Sequence, residues 1–208
     1  MSMCKDRLAI SALTLLLAVT GVAPASADEP PTLDIADAMR ASFKDKKQAT
    51  LARLEQDQTQ RLCSAPGGAL SPAAAARVVE MNRATLAGPA DGVYLGDHVA
   101  GERVAMTGSG LQWNDDPSKP NGGNCYACHE MAAKELAYGT LGPSLKHYGK
   151  LRGASPQMLE YTWNKIYNSN ALVPCSLMPR FGHQRILTEQ QMKDVMAYLF
   201  AKDSPVNQ

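Results

Sequence analysis

The sequence predicts an all-α protein, a small helical domain preceded by a helical N-terminal extension. Three observations carry this. Thr188 is a good N-cap, Glu189 stands in the first turn after it, and Met192, Val195, Met196 and Leu199 follow at the i, i+3, i+4, i+7 spacing of a buried helical stripe. Ser71-Pro72 and Ser155-Pro156 each supply a cap followed by proline at the first helical position. Finally, Cys125-Tyr126-Ala127-Cys128-His129 places two thiols and an imidazole where a helical turn presents them to one planar group.

That last stretch reads as covalent haem c attachment. Cys125 and Cys128 add across the two vinyl groups of the porphyrin, and His129 lies beneath the iron as an axial ligand. A thioredoxin-type dithiol needs a βαβ context that these flanks lack. A zinc site needs a second ligand pair at comparable spacing, and none exists. A haem wrapped by a few helices also supplies apolar volume that so short a chain cannot supply alone.

The chain of 208 residues divides into 1–27, 28–89 and 90–208. Lys5 and Arg7, an apolar run from Leu8 to Val22, and Ala25-Ser26-Ala27 read as a secretory signal peptide, so the mature protein begins near Asp28. Retention of this run as a membrane anchor is disfavoured by its shortness, and no later segment is apolar enough to span. Export to an oxidising compartment, the bacterial periplasm, suits both haem attachment and disulfides. The precursor's net charge of +1 gives no electrostatic case for nucleic acid or an acidic membrane surface.

After Pro30-Pro31, the composition predicts a helix from Leu33 to Leu62, its sparse stripe of Ile35, Met39, Phe43, Leu51, Leu54 and Leu62 covering a surface. Cys63 to Gly68 breaks it. A second helix runs from Ser71-Pro72 to about Ala87, with Val78, Val79, Met81 and Leu86 apolar. Residues 90–123, punctuated by glycine and proline, read as extended and loop-rich, with Tyr94, Val104 and Trp113 folding onto the domain that follows. Helices are expected from Asn124 to about Ala137, from Ser155 to about Asn168, and from Thr188 onward.

Met178 is the candidate sixth ligand. It lies in Val173-Pro174-Cys175-Ser176-Leu177-Met178-Pro179-Arg180-Phe181-Gly182, a loop with too many breakers to be core helix, just ahead of the last helix. A buried packing methionine is the ordinary alternative. His183 is the rival in the same loop, whereas His98 and His147 read as surface or core histidines. Met131 is too close to His129 to reach the opposite haem face, and Met192 and Met196 belong to the last helix. In Leu141-Gly142-Pro143-Ser144-Leu145, the Pro143 carbonyl is placed to take a hydrogen bond from the distal nitrogen of His129.

Cys4 leaves with the signal, so Cys63 and Cys175 remain beyond the haem pair. In an exported protein they are expected to form a disulfide. The alternative is a free Cys175 thiol near the haem edge, for which only Arg180 offers activation.

Taken together, Cys125 to His129, Leu141 to Leu145, Met178-Pro179 and Leu187 to Leu199 resemble the class I cytochrome c pattern over residues 90–203. Gly123-Asn124-Cys125, the Leu141 to Leu145 loop and Met178-Pro179-Arg180-Phe181-Gly182 ahead of Leu187-Thr188-Glu189 further resemble SoxX, the family of monohaem subunits of SoxAX cytochromes. The extension is longer than a minimal member has. That resemblance implies one covalent haem and a heterodimer with a SoxA-like cytochrome. The partner's haem–thiolate site, that of an L-cysteine S-thiosulfotransferase, would couple thiosulfate to a cysteine of a SoxYZ-like carrier. This chain would then pass electrons to a downstream cytochrome c. The rivals are a free electron-shuttle cytochrome and, given a weak sixth ligand, a gas or redox sensor.

Overall fold

The computed structural model describes residues 34–65 and 70–208, of which Ile35–Gln208 form one compact unit. The predicted signal peptide, the Asp28 start, Pro30-Pro31 and Gly67-Gly68 lie outside the described residues. Among the described residues there are seven α-helices and no strand, only a single bridge between Lys46 and Ala49.

The first three helices are α1 (Ile35–Ser42), α2 (Gln58–Cys63) and α3 (Pro72–Arg83). The single helix expected from Leu33 to Leu62 is therefore broken. Lys47 adopts a left-handed φ of 51°. The Asp45 carboxylate accepts from the Leu51 amide at 2.6 Å, and a 3₁₀ turn covers Leu51–Leu54. Asp57 starts a new helix, accepting from the Gln60 amide while Gln60 reaches back to its own. Asp45 and Asp57 thus do what aspartates do best, bonding local amides rather than filling a helix interior. The α1 stripe stays largely open: no α1 residue is buried, and Ile35 and Phe43 are exposed.

Ser71 caps α3 as expected, but that helix ends at Arg83, short of Leu86, and of Val78, Val79 and Met81 only Val78 is fully buried. Asn82, on the same face, is also buried and bonds the Thr59 hydroxyl of α2 at 2.9 Å.

The core is formed by α4 (His98–Met106), α6 (Pro156–Tyr167) and α7 (Glu189–Phe200), with the short α5 (Tyr148–Arg152) at its edge. Thr188 and Gln191 cap α7 reciprocally, and every α7 residue from Met192 to Phe200 is buried, including the four of the predicted stripe. Helix α4 corrects the reading of 90–123 as extended. Asp97 caps it through the Val99 and Ala100 amides, and it crosses α7 at Gly101, where an added Cβ would lie 2.0 Å from the Asp194 carbonyl oxygen. The glycine that reads as a loop marker is a helix-crossing contact.

Ser155 caps α6 on the Met158 amide. Trp163 of this helix is fully buried, donates its indole N–H to the Ala87 carbonyl at 2.7 Å, and meets Tyr94 edge-on at 5.7 Å. Tyr94 and Val104 thus join the core as expected. Trp113 does not: it is 45% exposed, with the Lys46 ammonium 3.3 Å above its ring.

Candidate haem site

The helix expected from Asn124 to Ala137 is reduced to one 3₁₀ turn, Cys125–Ala127. Its backbone groups are spoken for elsewhere. Asn124 sits in the left-handed region at φ 46°. The Cys125 carbonyl takes the His129 amide at 2.9 Å, completing a single helical turn through the motif. Beyond it, the carbonyls of Tyr126, Cys128 and Glu130 accept from Gly139, Gly142 and Leu145, each at 2.8 Å, so the following chain wraps back over the motif.

Tyr126, between the two cysteines, anchors this turn to the core. Its hydroxyl lies 2.7 Å from that of Tyr198 on α7 and accepts from the Ala132 amide at 3.1 Å. Burial and the Tyr126 hydroxyl together push the Tyr198 phenol well above its ordinary range. The motif is also tied to α4: Gly123 donates to the Val104 carbonyl and Asn124 to that of Thr107, both at 2.8 Å.

His129 Nδ1 lies 2.7 Å from the Pro143 carbonyl, the partner expected from the Leu141 to Leu145 loop. A carbonyl can only accept, so Nδ1 carries the proton and Nε2 keeps its lone pair for a metal. Gly142 closes on the same ring: a Cβ there would stand 2.2 Å from Cε1 and 2.6 Å from Nδ1. Position 142 must therefore lack a side chain.

The thiols of Cys125 and Cys128 are not bonded to each other. Burial pushes the Cys125 thiol up to about 12. Among the described residues no three His, Cys, Asp or Glu side chains converge as ligands for a bare ion. The donor set fits an iron already held in a ring: two sulfurs for the ring's edge and an oriented imidazole for the metal. Leu141 beside Gly142 and Leu177 beside Met178 are 69% and 79% exposed, apolar flanks suited to an apolar macrocycle.

Met178 packs against the core cluster that also takes in Cys125. Its carbonyl accepts the Ser169 hydroxyl at 2.5 Å. Three residues earlier, Cys175 is joined to Cys63. The free-thiol alternative for Cys175 is thereby set aside. Two residues after Met178, the buried Arg180 guanidinium donates to Asp57 at 2.5 Å.

His183, the rival ligand, lies within electrostatic reach of this pair. Burial and Arg180 lower its pKa against the opposing pull of Asp57, and its amide donates to the Tyr167 carbonyl at 3.0 Å. His98 faces Asp203 at 3.9 Å, and His147 donates its amide to the Val206 carbonyl. Met131, Met192 and Met196 are buried in the core. Sequence reasoning missed Tyr126 and Ser169, for which neighbouring residues hold no signal, and α4, for which Asp97 was one.

The cytochrome c family model matches residues 119–201 of this chain. An uncharacterized lipoprotein of Aquifex aeolicus (strain VF5) is 36% identical over 205 residues, covering 94% of this chain and 96% of that protein. So long a match takes in the N-terminal helices as well as the haem motif. With its attachment motif, its proline-held histidine and an all-α fold, the chain belongs to the cytochrome c family, carries covalently bound haem c and serves electron transfer.

Proposed function

We propose that this protein is the monohaem electron-transfer subunit of a SoxAX-type complex, in which Cys125 and Cys128 would carry one haem and His129 and Met178 would ligate its iron. The haem, when bound, supplies one-electron chemistry. The residues around it decide how. Pro143 holds His129 Nδ1–H at 2.7 Å, and this observation carries the proposal, because it leaves Nε2 as a strong, oriented donor. Met178 follows a cross-linked cysteine and precedes a proline, which limits its freedom to leave. Two protein ligands leave no open position for a substrate, so the sulfur chemistry belongs to a partner.

The SoxX-like run around Met178-Pro179-Arg180-Phe181-Gly182 supports that partner being a SoxA-like cytochrome, with a SoxYZ-like carrier reached through the complex and a cytochrome c as downstream acceptor. In this reading residues 28–89 form the extension and 90–208 the haem domain. Export to the periplasm belongs to the same proposal. The signal-like start and the lipoprotein description of the Aquifex relative support it.

The ligand assignment is tested by the weak sulfur-to-iron charge-transfer band in the far red. The ferric protein is expected to show it, and Met178→Ala to lose it. A band retained in that variant would overturn the assignment.

A further inference from the structure

The segment that carries Met178 is tied to the N-terminal helices from both sides. Before it, Cys175 is cross-linked to Cys63 at the end of α2, across 112 residues of sequence. After it, Arg180 donates to Asp57, the cap of α2, and Gln184 Nε2 reaches the same carboxylate oxygen at 3.2 Å. Beneath it, a buried polar relay leads back to α3. Asn168 Nδ2 donates to Asn82 Oδ1 and Thr85 Oγ1, both at 2.9 Å. The neighbouring Ser169 donates to the Met178 carbonyl itself. Asn82, Asn168 and Ser169 are each no more than 1% exposed.

A polar relay in a core is worth less to stability than well-packed apolar residues, and its members are costly if left unpaired, so it fixes one geometry rather than adding strength. Cys175 itself sits at φ 56°, a left-handed conformation that a non-glycine residue keeps only when its surroundings impose it.

We infer that α2 and α3, with Asp57 before the first and Thr85 after the second, are a brace for the Met178 segment, and that Asp57, Cys63, Asn82 and Ser169 are positioning residues that hold the thioether on its metal. The inference rests on Met178 being the sixth ligand. A thioether is a weak donor, and its hold depends on its effective concentration at the metal, which the freedom of the segment sets. Pinning residues 175 and 180 to one body shortens the tether on both sides. With either tie cut, the sulfur spends more time away, and an external base takes its place.

The test is imidazole titration of the ferric protein, following loss of the far-red band, in Asp57→Asn, Asp57→Glu, Ser169→Ala and the double variant Cys63→Ser/Cys175→Ser. Each is compared with the unaltered protein and with Met178→Ala, and helical circular dichroism is recorded to establish folding. Each broken tie is expected to tighten imidazole binding by about tenfold or more, because the competing intramolecular sulfur is diluted. Asp57→Glu, which keeps the ion pair, is expected to restore most of the resistance. The reduction potential is expected to fall in the same order, since methionine ligation is what raises it.

Folded variants that bind imidazole no more tightly than the unaltered protein would overturn the inference. If the double cysteine variant fails to fold, Asp57→Asn decides, because asparagine still caps α2 and removes only the carboxylate charge opposite Arg180. Retention of the band in Met178→Ala refutes the ligand assignment. Loss of the band there, together with unchanged imidazole binding in the other variants, refutes the brace alone.

Discussion

A single hydrogen atom decides the geometry on the histidine side. Gly142 faces the His129 ring so closely that a methyl group would overlap Cε1 and Nδ1. Gly142→Ala must therefore move either the loop or the imidazole, and either movement breaks the 2.7 Å bond to Pro143. Overpacking of this kind costs about 1–3 kcal/mol. The expected outcome is a lower thermal midpoint and an altered reduction potential, because the imidazole loses the acceptor that fixes its orientation. Gly88→Ala serves as the comparison: its Cβ would meet only Tyr94 Oη at 3.8 Å, an ordinary contact, and neither quantity should change. The attachment motif and the Pro143 acceptor for His129 were legible because that chemistry needs its atoms in order along the chain. Tyr126 was not, because its partner Tyr198 is 72 residues away and a tyrosine has no local mark of burial.

Among the helices, the crossing of α4 and α7 offers a test in which two effects have opposite signs. By helix propensity alone, alanine in place of Gly101 would stabilise α4 by about 1 kcal/mol. By packing, its Cβ would lie 2.0 Å from the Asp194 carbonyl and 2.9 Å from Tyr198 Cβ, and forcing the helices apart costs about 1–3 kcal/mol. Packing should win, so Gly101→Ala is expected to lower the denaturant midpoint with an unchanged slope. A raised midpoint would show that the crossing is looser than described.

This position also explains which elements the sequence revealed. Helices α3, α6 and α7 announce themselves through Ser71-Pro72, Ser155-Pro156 and Thr188, signals confined to a single turn. Helix α4 is marked by Asp97 but carries Gly101 in its middle, and a glycine needed for close approach cannot be told locally from one that ends a helix. The opposite error occurred at Leu33 to Leu62 and Asn124 to Ala137, where helical composition was overruled by left-handed Lys47 and Asn124 and by carbonyls bonded to distant amides.

At the scale of the molecule, the haem motif hangs between two bodies of structure. Helices α4 and α7 hold the cysteine and histidine side through Gly123, Asn124 and Tyr126, while α2 and α3 hold the methionine side through Asp57, Cys63 and Asn82. The cysteine pairing was legible from parity and compartment, but its purpose was not, since the use of the extension shows only where its side chains arrive. With Met178 as the proposed second ligand, a domain with both ligand positions held this way is suited to pass electrons without rearranging.

The central claim, that this chain is an electron-transfer subunit without sulfur chemistry of its own, is tested by reduction of the purified holoprotein. A small-molecule donor should reduce it at once. Thiosulfate should reduce it only after a SoxA-like cytochrome and a carrier thiol are added. Thiosulfate-dependent reduction by the chain alone would contradict the account, and so would a haem that stays oxidised when both partners are present.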